Sequence, residues 1–309
     1  MKNLSLADIH CDTVYELYMR GQSFYDNSLS ISYELSDCYE SYIQIAAIWT
    51  QKKLDNNAAY EQFFKISRYF KNDIAQSYCA SIYNGKNLKD TKTQFILAVE
   101  DARLLDGKIE RLDSLYAEGV RFLTLLWKGK TCIGGSFDTD VGLTEFGKTT
   151  VKRCMELGIV PDISHASLKS AEDVFEICEG KVPVIASHSS SYSVFKHPRN
   201  LTDSHFKRIR SSEGLVGINL YTTPLGLDKN KKGLDTVIEH IEHYLELDGE
   251  NIICLGCDFD GADTPSDMPN IASLNIIADE LARRNYKTEL IEKLFYKNVE
   301  TFIVNNLSK

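Results

Sequence analysis

The 309-residue chain lacks a long apolar run, a basic excess, a short-period repeat and a Pro/Ser-rich linker. A helix that crosses a bilayer needs roughly 20 consecutive apolar residues, and no segment supplies them. The net charge is −9 and the pI about 5.4. That balance leaves no basic face for phosphates or anionic lipid, so neither nucleic acid nor a membrane surface is expected as partner. Met1 to Ala7 holds one lysine and has no room for the apolar stretch of an export signal before His10. The eight cysteines, several in apolar runs such as those around Cys154, Cys178 and Cys254, therefore read as reduced thiols of a cytoplasmic protein. A single domain over 1–309 is the expectation, since barrels commonly reach this length.

What is present is alternation. Apolar, β-branched runs fall at Leu4 to Cys11, Ile43 to Trp49, Phe95 to Val99, Val120 to Trp127, Ile159 to His165, Val182 to Ser187, Leu215 to Leu220 and Ile252 to Cys257. Most are continuous rather than alternating, as parallel strands buried on both faces require. Helical patterns separate them: Tyr60 to Phe70, Ala102 to Tyr116, one capped by Thr144 and stopped by Gly158, and one capped by Ser167. Further patterns start at Thr202 and Leu234, and two more, Ile271 to Arg284 and Thr288 to Ile303, close the chain. Eight strand–helix units favour a (β/α)8 TIM barrel. The rival open doubly wound sheet is weakened because no Gly-rich phosphate fingerprint follows the first strand. Arg20 to Asp37 reads as loop or short helices, and Thr131 to Val141 as a mobile loop over the mouth.

Several of these runs end in metal-ligand chemistry. His10 and Asp12, two residues apart at a strand end, can grip one ion, although a turn residue beside a buried histidine has the same spelling. His165 and His188 end adjacent strands about 4.8 Å apart and can share a second ion, or each be an interior hydrogen-bonded histidine. Glu100 can bridge two cations roughly 3.5–4 Å apart, or serve as an acid at a helix N-terminus. Asp258, at the start of Asp258-Phe259-Asp260-Gly261, is placed for general acid/base work, while Asp260-Gly261 reads as a turn. Cys254-x-x-Cys257 has no second cysteine pair and reads as strand packing. His240 and His243 are expected to face solvent, away from the apolar stripe of their helix; His197 and His205 stay uncommitted.

With those residues assembled, the chain resembles the membrane (renal) dipeptidase family of zinc metallopeptidases nearly end to end. The resemblance rests on Asp8-Ile9-His10-Cys11-Asp12, Gly119 to Leu125, Gly142-Leu143-Thr144, Asp162-Ile163-Ser164-His165, Ser187-His188-Ser189-Ser190, Pro198-Arg199-Asn200, Gly217 to Tyr221 and Asp258 to Gly261, in that order. It implies an amidohydrolase-type barrel with two Zn2+ ions, one held by His10 and Asp12, the other by His165 and His188, with Glu100 between them. It further implies a metal-bridging hydroxide that attacks a dipeptide bond, Asp258 as acid/base, and Arg199 on the substrate carboxylate. Tyr221 and Trp127 join Arg199 as substrate-contact candidates. One departure stands out: some members carry a substrate-contacting histidine where this chain has Trp127, followed by Lys128-Gly129-Lys130. The indole would supply an apolar wall, or Lys128 the positive group. Dimer formation is an expectation from the resemblance alone. The rival readings are another amidohydrolase, acting on an N-acyl amino acid, lactone or β-lactam, and an inactive metal-binding barrel.

Overall fold

A computed structural model describes residues 4–76, 78–86, 88, 91–228 and 232–307. Its strands are β1 (Leu6–Cys11), β2 (Tyr42–Ile48), β3 (Ala80–Ile82), β4 (Thr93–Glu100), β5 (Val120–Thr124), β6 (Val160–Asp162), β7 (Val216–Ile218) and β8 (Ile253–Leu255). All pairings are parallel, in the order β6-β5-β4-β2-β1-β8-β7. The gap between β6 and β7 is closed by the run read as the sixth strand. Ile185 bridges to Asp162 and Ala186 to Val216, with backbone bonds Ile163 N–H to Ile185 O and Ala186 N–H to Leu215 O, both 2.9 Å. The ring is thus a (β/α)8 barrel whose sixth member pairs by single bridges rather than as a full ladder. β3 was not expected; it pairs only with the first half of β4, while β5 takes the second half.

Period-two alternation sorts the strand side chains. Ile43, Ile45 and Ala47 of β2, Ile96 and Ala98 of β4, Phe122, Val160 and Ile185 form a core inside the ring. Val299, Phe302 and Ile303 of the last helix (Asn298–Asn306) close its lower end, with Phe302 stacked on Phe122. The intervening residues, Tyr42, Ala46, Ile48, Leu97 and Val99, pack outward in the helix-facing core. Glu100 has the parity of Ile96 and Ala98, so the alternation turns it into the barrel at the upper rim.

The helices follow their caps. Thr144, Ser167 and Thr202 hydroxyls accept from Gly147 N–H at 2.9 Å, Ser170 N–H at 3.0 Å and His205 N–H at 3.2 Å. The pattern expected as one helix from Ala102 to Tyr116 is split. A 3-10 turn (Ala102–Leu105) ends at Asp106 and Gly107, both at positive φ, before the helix Glu110–Ala117 begins. The last helical pattern is continuous but carries a π turn at Lys293–Lys297.

Candidate metal centre

Six side chains meet at the upper rim of the barrel. His10 Nε2 lies 3.6 Å from Asp12 Oδ2, 3.9 Å from Glu100 Oε1 and 3.8 Å from Asp258 Oδ1. Glu100 Oε1 lies 3.0 Å from His165 Nε2 and 3.7 Å from His188 Nε2. The ligand atoms of His10, Glu100 and His188 fall within 4.8 Å of one another, as do those of His10, Asp12 and Asp258. His10 is the member common to both groups. His165 joins the cluster through Glu100.

The folding of each rim segment explains the convergence. A register shift in β1 between Asp8 and Cys11 lets His10 and Asp12 turn to the same opening. Their backbone is clamped by Asp258 N–H to His10 O at 3.2 Å and Asp12 N–H to Phe259 O at 2.9 Å. Below them Asp8 Oδ1 accepts from the backbone of His10 and Cys257 at 3.2 and 3.0 Å. His165 and Asp258 both sit at positive φ, 66° and 61°, an unusual backbone state for residues other than glycine. Asp260 and Gly261 form the expected turn, with Gly261 N–H bound to Asp258 O at 3.2 Å, and Gly261 also keeps a space clear. A Cβ there would lie 2.0 Å from Asp12 Oδ2 and 2.8 Å from Asp258 Oδ1.

The imidazole tautomers follow from their partners. Ser187 Oγ–H donates to Asp162 Oδ2 at 2.6 Å, so Ser187 Oγ is the acceptor for His188 Nδ1–H at 2.7 Å. Asp162 also takes Ser164 N–H, Ser187 N–H and the Thr124 hydroxyl. His165 Nδ1 lies 2.9 Å from Trp127 O, and a carbonyl can only accept. His188 therefore presents the lone pair of Nε2 to the rim, and so does His165 on its shorter contact, the 2.9 Å one to Trp127 O, against the 3.3 Å approach of Arg199 Nε–H to the same Nδ1. This is the arrangement of metal-ligating histidines, whose other nitrogen is held by an oxygen partner. Neither Ser187 nor Asp162 was singled out in the sequence for this role; the signal was there, in a serine next to His188 and an aspartate ending a strand.

A metal fits this donor set. His10 Nε2 and His188 Nε2 are buried with no hydrogen-bond partner. Buried nitrogens left so are costly unless something binds them. His165 turns a lone pair toward a carboxylate oxygen at 3.0 Å, a contact that a cation between them relieves. The charges agree. Burial, helped by Asp12 and Asp258, raises Glu100 well above the usual carboxylate range. Burial opposes a charge on His10, but Asp12, Glu100 and Asp258 outweigh it and push that ring up to about 10. Burial and the Arg199 charge hold His165 well below its usual value, and burial with the His10 and Arg199 charges does the same to His188. The pocket is rich in carboxylate and short of positive charge.

The remaining candidates lie around this cluster. Asp258 is buried and held by Asn219 Nδ2–H at 3.4 Å; burial raises its carboxyl to about 6. Arg199 is no surface arginine: it is 7% exposed, its Nε lies 3.3 Å from His165 Nδ1, and its Nη1 is buried without a partner. Its guanidinium lies 5.4 Å over the Phe137 ring. Tyr221 is half-buried, its N–H bound to Asn219 Oδ1 at 2.6 Å. The Trp127 ring lies 6.4 Å from the His165 ring, whereas Lys128 is exposed. The segment expected as a mobile loop is tied down: Phe137 N–H binds His165 O at 2.8 Å, and Lys130 bridges to Gly135 and Gly134 to Leu143. His240 does not face solvent; it is buried, and its Nδ1 accepts Ser191 N–H at 3.0 Å. The apolar stripe is wide enough to take that ring in. His243 is paired with Asp203 and His205 with Glu172, both at 2.9 Å.

The model of the membrane dipeptidase family, peptidase family M19, matches residues 1–303. The chain belongs to that family. It is a metallo-dipeptidase, a hydrolase on a TIM barrel. An uncharacterized protein of the pqqA 5' region of Klebsiella pneumoniae is 30% identical over 232 residues, 71% of this chain and 85% of the relative. Dipeptidase AC, a metallopeptidase, superposes with a TM-score of 0.91 at 23% identity, covering 99% of this chain and all of its own. A metallopeptidase from Rhodobacter sphaeroides, solved with a phosphinate mimic of L-Ala-D-Ala, does so with a TM-score of 0.86 at 22% identity, covering 98% of this chain and 99% of its own. At such identities the two structures share the metallo-dipeptidase's fold. Among the described residues no helix is long and apolar enough to cross a membrane.

Proposed function

We propose that this metallo-dipeptidase is a dinuclear zinc enzyme that hydrolyses the peptide bond of dipeptides. His10 and Asp12 would hold one ion, His165 and His188 the other, and Glu100 both. The observation that carries this is the pair of buried, unpartnered Nε2 atoms of His10 and His188 converging on Glu100. Two divalent cations there supply Lewis-acid polarisation of the scissile carbonyl and a water acidic enough to attack near neutral pH.

The chain's own residues do the rest. Asp258 takes the proton of the attacking water on its carboxylate and returns it to the leaving amine. A buried carboxyl facing the reacting atoms suits both transfers. Asn219 keeps that carboxylate turned to the rim. Arg199, with a free Nη1 donor, receives the substrate carboxylate, whose two oxygens match the guanidinium fork. Recognition of a free terminus confines the enzyme to short peptides. Tyr221 and Trp127 border the same space.

The reading extends to a cytoplasmic homodimer with one barrel domain over 1–309. The metal-loaded protein should cleave dipeptides and stop when treated with a chelator. Turnover of N-acyl amino acids, lactones or β-lactams with none on dipeptides would favour the amidohydrolase alternative. A protein that takes up no zinc would favour the inactive barrel.

A further inference from the structure

The chain has two tryptophans, and both stand at the rim of this site. Trp49 follows the end of β2 and Trp127 lies three residues beyond β5. These strands are not neighbours: β4, which ends in Glu100, runs between them. Yet the two indoles meet, with ring centroids 5.2 Å apart and planes tilted by 58°. They therefore close over the end of the strand that carries Glu100. Tyr15, in the helix that starts directly after Asp12, meets Trp49 edge-on at 5.2 Å. At the other end Trp127 faces the His165 ring at 6.4 Å. The result is a continuous aromatic row from the Asp12 side of the site to the His165 side. Both tryptophans are only half-buried, although large rings of this kind are normally packed away. Trp49 Nε1–H is buried without an acceptor, so its ring is held by its faces and not by a hydrogen bond. Lys52, exposed, lies beside the row with its Nζ 5.9 Å from the Trp127 ring.

We infer that this row is the specificity wall of the enzyme and selects dipeptides with a large apolar or aromatic side chain at one of the two substrate positions. This rests on the dipeptidase function proposed above and adds the class of side chain. Indole faces gain from apolar and aromatic contact and offer nothing to solvate a charge. Lys52 disfavours a cationic side chain at the same place. One buried side chain of this size is worth about tenfold to a hundredfold in kcat/KM.

Two measurements test it. The zinc-loaded enzyme is assayed on X-Gly and Gly-X pairs with X as Gly, Ala, Leu, Phe, Lys and Asp. In one of the two series Phe and Leu should exceed Gly and Lys by tenfold or more in kcat/KM. Trp49→Ala and Trp127→Ala should bring that ratio close to one, and Trp127→Phe should restore most of it. A loss that falls equally on every substrate overturns the wall, because it marks the rings as support for the metal site. A preference for Asp overturns it too, by assigning selection to Lys52. The second readout is independent of turnover. Since all tryptophan emission comes from the wall, titrating Phe-Gly and Gly-Phe into zinc-loaded Asp258→Asn should give a saturable fluorescence change, at concentrations at least tenfold below Gly-Gly. An unchanged emission while the peptide is shown to bind by calorimetry contradicts the wall. A wild type that cleaves small and aromatic dipeptides alike sinks the wall and spares the dipeptidase; one that cleaves none of the panel sinks the dipeptidase.

Discussion

Removing the Ser187 hydroxyl isolates the support of the centre from its ligands. Ser187 Oγ joins Asp162 Oδ2 at 2.6 Å to His188 Nδ1 at 2.7 Å, and lies 3.4 Å from His10 Nδ1. Ser187→Ala leaves Asp162 its bonds from Ser164 N–H, Ser187 N–H and Thr124, so the strand ends remain joined. It leaves His188 Nδ1–H without an acceptor and the ring free to rotate or change tautomer. Loss of such a partner typically costs 10- to 100-fold in metal affinity, or roughly 1.4 to 2.7 kcal/mol. The buried, unmatched imidazole N–H costs fold stability by about 1–3 kcal/mol in the metal-free protein. The assay is competition with a chromophoric zinc chelator, paired with urea unfolding of the metal-free protein. At saturating zinc, kcat should stay within a few-fold of wild type, because no group that touches substrate is lost. Unchanged zinc affinity in the variant would refute the relay from Asp162 through Ser187 to His188.

Asp258→Asn should keep the wild-type zinc content while kcat falls by about 10²- to 10⁴-fold, the usual worth of a general acid/base; equal turnover would remove Asp258 from the mechanism. Gly261→Ala puts a methyl group 2.0 Å from Asp12 Oδ2, so Asp12 must swing away and zinc affinity should fall by more than tenfold. Stability should also depend on His240. Burial lowers its pKa from 6.5 to about 4, so the unfolded chain binds the proton first. The contribution of the neutral ring is complete above pH 6.5 and is lost as pH falls toward 4, by up to roughly 3 kcal/mol. Between pH 7 and 5 the urea midpoint of wild type should drop more than that of His240→Gln; parallel curves would show that the ring titrates normally.

Much of the architecture was legible because it depends on local rules. Continuous apolar runs marked barrel strands, and Thr144, Ser167 and Thr202 marked helix starts. What escaped detection depended on pairing between distant segments. β3 is three residues long and has no pattern of its own. The Asp106-Gly107 break is a matter of backbone handedness inside an amphipathic stripe. His240 seemed exposed because a histidine off the apolar stripe usually is; only Ser191, arriving from another loop, gives it an acceptor role. At the site, the ligand-type residues could be picked out by type and position, since carboxylates and imidazoles rarely close apolar runs. The roles of Asn219 and Gly261 could not, because they exist only relative to neighbours: a carboxylate turned, a space kept clear. Trp49 was hidden as the last apolar residue of a strand until the fold set it against Trp127.

The most direct trial of the two-cation centre is an anomalous-diffraction structure of crystals grown with excess zinc. The account requires two zinc peaks per chain inside the rim, one in contact with His10 and Asp12, one with His165 and His188, and Glu100 touching both. A single peak, an empty rim, or zinc held elsewhere while these five side chains keep their present contacts would contradict it.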